Sequence, residues 1–206
     1  KESVLPFLDN IDHTARKIGA INTIVNQDGI LTGYNTDCMA AIMGLECSLK
    51  ETNDTLSNKK ISIIGAGGAA RAIAFGLKEK GCDITIFNRT IERAEKLSHD
   101  VKCRFESFKE IHKLDSDILI NTTSIGMFPD VDQTPIPKNI LKEGMIVFDA
   151  IYNPIETRLL RDAKGKGCHT VNGLSMFINQ AAEQFRLWTN IDPPVELMSS
   201  IVKEML

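Results

Sequence analysis

The chain has 206 residues, of which 43% are hydrophobic and 25% charged, as is ordinary for a globular protein. A net charge of -3 argues against a broad basic surface, so nucleic acid and anionic membranes are not expected partners. No apolar run approaches the ~18 residues that a membrane-spanning helix needs, and no secretory signal is recognisable.

Five cysteines are scattered along the chain, with no C-x-x-C pair and no spacing typical of a zinc site. This pattern is typical of a reducing compartment, so we predict free thiols and a cytoplasmic location. The adjacent Cys168 and His169 are interpreted as a buried thiol beside a strand residue. No metal is predicted.

The front of the chain predicts a helix, a hairpin and a second helix. Residues 1–19 carry apolar side chains at helical spacing, namely Val4, Leu5, Leu8 and Ile11. The stretch TIVNQDGILTGYN predicts a hairpin around Asp28-Gly29, a dipeptide suited to positive φ. CMAAIMGLECSLK predicts a helix, and the polar ETNDTLSNKK predicts a linker.

From Lys60 onward, short apolar runs alternate with amphipathic segments. We predict strands in ISIIG, DITIFN, DILIN, MIVFDA and CHTV, separated by helices in AARAIAFGLKEKG, IERAEKLSHD and ETRLLRDAKGKG. This alternation predicts an α/β fold with a parallel sheet covered on both faces. SMFINQAAEQFRLW and PVELMSSIVKEML predict two closing helices. The inner face of the last one is predicted to contain Val195, Met198, Ile201, Val202 and Met205.

The run IIGAGGAARA places Gly65, Gly67 and Ala70 in the dinucleotide-binding pattern G-x-G-x-x-A. It follows a predicted strand and opens a predicted helix, which is the context that the pattern requires. The glycines permit a tight turn and a close approach of pyrophosphate, and Ala70 lets the helix approach the sheet. Amides at the helix N-terminus would bind the phosphates. A glycine turn without a ligand is the alternative.

The next predicted strand ends in Asn88, Arg89 and Thr90, where an acid that binds the ribose hydroxyls is usual. Arg89 instead favours a 2′-phosphate, and Arg93, one turn into the next helix, can bind the same anion. At about 1.5–3 kcal/mol per charged hydrogen bond, two arginines would favour NADP over NAD by roughly a hundredfold. For Arg93 alone, a solvated helix charge is the alternative interpretation.

Together these segments resemble the shikimate dehydrogenase family, over essentially the whole chain. The resemblance lies in KESVLPFLDNID, KIGAINTIV, GYNTDCMAAI, IIGAGGAARAIA, FNRTIERAEKL, NTTSIGMFP, DAIYNPIETRLL and NGLSMFINQAAEQF. It implies a monomer or homodimer that reversibly reduces 3-dehydroshikimate to shikimate with NADPH, in aromatic amino-acid biosynthesis. It also implies that roughly sixty residues of the substrate domain, with a serine pair for the substrate carboxylate, precede this sequence, which begins at Lys1.

The resemblance implies a set of site residues. Lys1 and Asp37 match the catalytic pair and also contact substrate. The other substrate-binding residues that it implies are Asn22, Tyr152 and Gln180. The cofactor contacts that it implies are Gly65, Ala66, Gly67, Gly68, Ala69, Asn88, Arg89, Thr90, Arg93, Thr123, Ser124, Gly126, Ala150, Gly173 and Met176.

The implied chemistry needs a group that stabilises and protonates the ketone oxygen as hydride arrives at the carbon. Lys1 as an ammonium ion can do both, and Asp37 favours its charged form, whereas desolvation opposes it. Each residue also has a plainer role. A terminal lysine is usually solvated, Thr36 or Asp37 suits a helix cap, and the remaining substrate-site residues could serve in turns or packing. The same holds for Met176.

We predict two lobes. Residues 1–55 form the remaining part of an α/β substrate-binding domain, residues 56–173 form a Rossmann-type doubly wound NADP domain, and residues 174–206 form helices that pack back on the first lobe. Substrate is expected in the cleft between the lobes. The rival functions are a quinate or quinate/shikimate dehydrogenase, often NAD-dependent, and a non-catalytic module that senses a nucleotide or a shikimate-like ligand.

Overall fold

The computed structural model describes residues 1–50 and 54–206, and contains two sheets. The predicted linker ETNDTLSNKK lies partly outside the described residues. The first sheet has three strands and the second has six. Among the described residues, none of the helices combines the length and the apolarity that crossing a bilayer requires.

The front sheet is built around the predicted hairpin. The chain forms β1 (Asn10–Ile11), α1 (His13–Ile18), β2 (Thr23–Gln27), β3 (Ile30–Tyr34) and α2 (Asp37–Lys50). Strands β2 and β3 are antiparallel, and the turn residues Asp28 and Gly29 have φ values of 52° and 89°, which confirms the hairpin. The helix predicted from CMAAIMGLECSLK is also confirmed, as α2.

The single helix predicted over residues 1–19 is wrong. Strand β1 pairs with β3 in parallel, and the Asp9 carboxylate accepts a hydrogen bond from the Leu31 amide at 2.8 Å. Asp12 then caps α1, since its carboxylate accepts from the amides of Thr14 and Ala15 at 2.9 and 3.3 Å. Strand pairing and local capping therefore outweighed the helical spacing of the apolar residues.

The second sheet confirms the predicted α/β fold. Its elements are β4 (Lys60–Ile64), α3 (Gly68–Glu79), β5 (Asp83–Asn88), α4 (Ile91–Val101), β6 (Arg104–Ser107), β7 (Ile118–Asn121), β8 (Ile146–Asp149), α5 (Arg158–Lys164) and β9 (His169–Val171). All pairs are parallel, in the order β6-β5-β4-β7-β8-β9. This is the doubly wound order of dinucleotide-binding sheets, with its switch point between β4 and β7. Strand β6 was not predicted, because RFES is short and half charged.

The hydrophobic core lies on both faces of this sheet. One cluster joins the sheet to α2, α3 and α4 and contains the fully buried Ile63, Ile73 and Phe148. A second cluster on the other face joins Ile64 and Val147 to α5. The carboxyl ends of the central strands, where ligands bind in such sheets, are therefore held by close packing.

Two helices close the chain, α6 (Gly173–Thr189) and α7 (Val195–Met205). Helix α6 packs on α2, and its side chains donate to β2: Gln184 to Thr23 Oγ1 at 3.0 Å and Trp188 to the Ile24 carbonyl at 2.9 Å. The predicted inner face of α7 is partly wrong. Ile201 and Met205 are 47% and 80% exposed, because α7 packs against α6 and contacts little else in the described chain.

A polar group is buried at the carboxyl ends of β7 and β8. The side chains of Asn121, Asp149 and Thr157 have no exposed surface. Asn121 Nδ2 donates to Asp149 Oδ1 at 3.0 Å, Thr157 Oγ1 donates to Asp149 Oδ2 at 2.7 Å, and the Ile151 amide donates to Asp149 Oδ1 at 3.2 Å. Burial raises the pKa of Asp149 to about 6, although these three hydrogen bonds oppose the increase.

This raised pKa predicts a pH-dependent stability. An unfolded aspartate has a pKa near 3.9, so the folded state binds the proton more tightly, and the contribution of Asp149 falls as pH rises through about 6. Between pH 4.5 and 7.5, we expect the unfolding free energy of the wild type to fall by about 2 kcal/mol relative to Asp149→Asn. Urea unfolding of both proteins across this range measures the two free energies. The prediction is contradicted if the wild-type value minus the Asp149→Asn value stays constant or rises with pH.

Candidate active site

The glycine-rich turn lies at the switch point of the parallel sheet. After β4, Gly65 has φ 112°, and a Cβ there would lie 2.4 Å from Thr122 Oγ1, at the end of β7. Gly67 then precedes α3 without any side-chain capping bond, and a Cβ on Gly67 would meet no atom within 4 Å. The first amides of α3 therefore face open space, as phosphate binding requires.

Two cavities flank this turn. The first, about 240 Å³, contains Gly65, Asn88, Arg89, Thr123 and Ser124. Its apolar walls come from Ile64, Phe87, Phe108 and Ile125. An apolar slot of this kind, with an arginine at its edge, suits a planar base.

The second cavity, about 350 Å³, is basic. Its lining contains three cations, Arg71, Arg93 and Lys96, and one acid, together with small and apolar residues: Glu2, Ala66, Gly67 and Leu97. The side chains of Arg89, Arg93 and Lys96 form no ion pair with any residue that the structure describes. Cations without partners beside a helix N-terminus suit a phosphate group. The two cavities and the turn between them therefore fit an adenine dinucleotide that carries a 2′-phosphate.

Arg71, immediately after the glycine motif, joins three elements. Its Nε donates to the Ile18 carbonyl at the end of α1, and Nη2 lies 2.8 Å from Asp100 Oδ2 on α4. Its guanidinium also lies over Phe75, 5.5 Å from the ring centroid. Helix α3, which begins at the glycine-rich turn, is thereby tied to the front of the chain.

Lys1 and Asp37 form an ion pair, although they lie far apart in sequence. Asp37 is the first residue of α2 and is buried, whereas the Lys1 side chain is 40% exposed. The Lys1 stem also lies against the glycine turn, because its Cδ is 3.0 Å from where a Cβ of Gly68 would stand. One ammonium group is thus held between a buried carboxylate and the dinucleotide-binding turn.

Asn22 fixes the orientation of this carboxylate. Its Nδ2 donates to Asp37 Oδ1 and to Thr36 Oγ1, both at 2.9 Å, and its Oδ1 accepts from the Thr36 amide at 2.9 Å. The cap of α2 is Asn35, whose Oδ1 accepts from the amides of Asp37 and Cys38 at 3.1 and 3.3 Å. The Asp37 carboxylate is therefore free to pair with Lys1, because a neighbouring side chain serves as the cap.

Cys38 follows Asp37 but offers no nucleophile at neutral pH. Burial, which is the largest cause, and the nearby Glu79 and Asp37 carboxylates together raise the pKa of its thiol to about 11. The thiol therefore stays protonated, and the basic and acidic groups of this region are Lys1 and Asp37.

The loops after β7 and β8 carry the next set of predicted site residues. Thr123 is held by Asn121, whose Oδ1 accepts from the Thr123 amide at 3.0 Å and from its hydroxyl at 2.7 Å. After β8, Tyr152 is 39% exposed and stacks on Phe177 with ring centroids 4.3 Å apart. Helix α6 begins against the same loop, since a Cβ on Gly173 would lie 2.4 Å from the Ala150 carbonyl oxygen.

Met176 and Gln180 also have contacts that stabilise the fold. Met176 is 7% exposed and belongs to the main core cluster. Gln180 donates to the Phe177 carbonyl within its own helix at 3.1 Å. Gln184, one turn further on, is the α6 residue that reaches Asn22, at 3.5 Å to its carbonyl oxygen. A cavity of about 480 Å³ between α2 and α6 contains none of the predicted site residues.

Sequence reasoning missed several residues of this region. Phe108 and Ile125 lie in segments without a strand or helix pattern, so nothing in the sequence indicated that they wall a cavity. Arg71 and Lys96 were open to detection, because one directly follows the glycine motif and the other lies three residues after Arg93. Asn35 was missed because Thr36 and Asp37 are equally suitable caps.

Comparisons with known proteins agree with this geometry. The model of the family "Shikimate / quinate 5-dehydrogenase" matches residues 48–153, and that of the "Shikimate 5'-dehydrogenase C-terminal domain" matches residues 173–203.

Relatives and solved structures match over nearly all of the chain. The NADP(+) shikimate dehydrogenase of Geobacillus kaustophilus is 43% identical over 100% of this chain and 76% of its own. The bifunctional 3-dehydroquinate dehydratase/shikimate dehydrogenase of Arabidopsis thaliana is 43% identical over 99% of this chain, which spans 36% of that protein. A crystal structure of a shikimate dehydrogenase with NADP+ has a TM-score of 0.91 and 40% identity, over 100% of this chain and 73% of its own. The chain belongs to the shikimate/quinate dehydrogenase family.

Proposed function

We propose that the chain is the catalytic part of an NADP-dependent shikimate dehydrogenase, which reversibly reduces 3-dehydroshikimate to shikimate. The observation that carries the proposal is the Lys1–Asp37 ion pair beside Gly68. It places a proton donor next to the turn that is built for a dinucleotide. Relatives named as NADP(+) shikimate dehydrogenases support the choice of substrate and cofactor.

The cofactor-binding residues divide according to the two cavities. Gly65, Asn88 and Arg89 would enclose the adenosine half. The α3 amides after Gly67 would bind the pyrophosphate, and Arg93 would bind the 2′-phosphate. When bound, the reduced nicotinamide supplies the hydride. The loops at Thr123–Gly126 and at Ala150, with Gly173 and Met176, would enclose this reactive end.

Lys1 supplies the proton. As the ketone is reduced, its oxygen gains negative charge, which an ammonium group stabilises and then protonates. Asp37 pairs with this group and fixes its position, and Asn22 in turn fixes Asp37. In the reverse direction Lys1 accepts the proton of the substrate hydroxyl, so the same pair serves both directions.

Substrate would lie between the two sheets, next to this pair. Asn22 lies next to the pair, because its amide donates to Asp37. Tyr152 in the loop after β8, which stacks on Phe177 of α6, and Gln180 on α6 would complete the substrate site. In this arrangement we propose that residues 1–55 belong to the substrate-binding domain, that residues 56–173 form the NADP domain, and that residues 174–206 pack back on the first lobe. The two sheets and the return of α6 to β2 support these boundaries.

Quinate is the alternative substrate, since the matching family model includes quinate dehydrogenases. Arg89 and Arg93, which form no ion pair within the described part of the chain, favour a 2′-phosphate and hence the NADP-dependent enzyme. A sensor without activity would have no need of the Lys1–Asp37 pair, so the ion pair favours an enzyme. We place the reaction in aromatic amino-acid biosynthesis in the cytoplasm, as a monomer or homodimer, and the five free cysteines are consistent with a reducing compartment.

Cofactor choice tests the two arginines. We expect Arg89→Gln and Arg93→Gln each to raise the Kd for NADPH about tenfold and to leave the Kd for NADH within about twofold, since each removes one charged contact to the 2′-phosphate. Fluorescence titration measures both constants. Arg104→Gln is the matched control, because Arg104 is exposed and pairs with Asp83 at the opposite end of the sheet. Equal weakening for both dinucleotides would exclude a 2′-phosphate contact.

The proton role of Lys1 predicts a separation of catalysis from binding. We expect Lys1→Ala and Asp37→Asn to lower kcat for NADPH oxidation with 3-dehydroshikimate by about 10²–10⁴-fold, as for loss of a general acid. The Kd for NADPH should stay within about twofold. Lys17→Ala, which removes an exposed ion pair with Glu79, is the control. Retained turnover in Lys1→Ala would remove Lys1 from the mechanism.

The alternative substrate has its own test, in which turnover of quinate with NAD+ is compared with turnover of 3-dehydroshikimate with NADPH.

A further inference from the structure

The buried polar residues Asn121, Asp149 and Thr157 lie beneath both loops at the proposed nicotinamide end. Asn121 is the last residue of β7, Asp149 is the last residue of β8, and Thr157 precedes α5. The two hydrogen bonds between their side chains measure 3.0 and 2.7 Å, and none of the three residues is exposed. One carboxylate thus joins the ends of two adjacent strands to the start of a helix.

Further hydrogen bonds run from these residues to the loops above. Asn121 Oδ1 accepts both the amide and the hydroxyl of Thr123, at 3.0 and 2.7 Å. Asp149 Oδ1 accepts the amide of Ile151, the residue before Tyr152, at 3.2 Å. Both loops therefore have their first turns fixed by the same connected group of side chains.

Burial of the Asp149 carboxylate among these residues carries a free-energy cost. Among the described residues, no cation pairs with the Asp149 carboxylate, and three neutral hydrogen bonds hold it. Burial of a carboxylate without a cation opposes folding, and an apolar residue of similar size would avoid that penalty. Core packing alone therefore does not explain an aspartate at this position, whereas a requirement for fixed loop geometry does.

We propose that Asp149 is a positioning residue for hydride transfer, which sets the loop at Thr123 and the loop at Tyr152 relative to each other. The proposal rests on the proposed dehydrogenase function. Asp149 acts through Asn121 and Thr157, and does not itself touch the reacting atoms. Its loss should reduce catalysis strongly, since misplacement of a reacting group by about 1 Å costs about a hundredfold in rate.

Thr157→Val and Asp149→Asn test the proposal. Thr157→Val keeps the shape of the side chain but removes the hydroxyl that donates to Asp149, and Asp149→Asn replaces the oxygen that accepts it. Thr157→Ser restores the hydroxyl. Leu159→Ala is the stability control, because Leu159 is 1% exposed in α5 and contributes no side-chain bond to the group. The measurements are kcat/KM for 3-dehydroshikimate with NADPH, and the Kd for 2′,5′-ADP, a probe without nicotinamide.

We expect Thr157→Val and Asp149→Asn to lower kcat/KM by ~10- to 100-fold and to leave the Kd for 2′,5′-ADP within about twofold. Thr157→Ser should recover kcat/KM to within about threefold of the wild type, and Leu159→Ala should retain it wherever circular dichroism shows it folded. Such a pattern separates local positioning from general loss of structure, which would weaken both measurements together.

Three results would overturn the positioning role: unchanged kcat/KM in both Thr157→Val and Asp149→Asn, parallel loss of 2′,5′-ADP binding, or failure of both variants to fold. The last would show that the group is needed for the fold itself. Absence of turnover in the wild-type protein is a separate result, which would instead contradict the proposed function.

Discussion

The close approach of Gly65 to Thr122 is the constraint on which the candidate site depends. With no Cβ at Gly65, the chain can turn directly over the end of β7 and start α3 at the switch point of the sheet. That turn orients the free amides of α3, separates the apolar cavity from the basic one, and presents Gly68 to Lys1. A side chain at Gly65 would move all three features at once, since they share one short stretch of backbone.

Besides the apolar packing of α2 on α3, charged side chains make contacts between the front of the chain and the phosphate-binding turn with its helix. Lys1 pairs with Asp37 while its stem lies on Gly68, and Arg71 reaches the Ile18 carbonyl from within α3. Both contacts involve the phosphate-binding turn or its helix. The glycine-rich turn therefore lies directly against the residues that hold Lys1 in place.

The sequence predicted the parallel sheet well, because its strands are buried on both faces and are therefore largely apolar runs, such as ISIIG and DILIN. It failed for residues 1–19 and for the outer residues of α7, where apolar spacing is helical but the neighbouring elements decide what is buried. For the site, the glycine turn was predictable from a pattern with its context. The cap at Asn35 and the cavity wall at Phe108 were not, since the first depends on which of three polar residues points inward and the second on tertiary packing.

The Asp149 carboxylate shows how such a site can oppose the stability of its own fold. Its pKa is raised because burial outweighs three hydrogen bonds, so near neutral pH the ionised group destabilises the native state relative to a neutral isostere. Yet an ionised carboxylate accepts several donors at once, whereas a neutral amide would present a donor to the Thr157 hydroxyl. An ionised carboxylate is therefore the simplest side chain that can accept hydrogen bonds from Asn121, Ile151 and Thr157 together. The local loss of stability is the expected consequence of holding the loops at Thr123 and Tyr152, for which we propose a catalytic role, in a single arrangement.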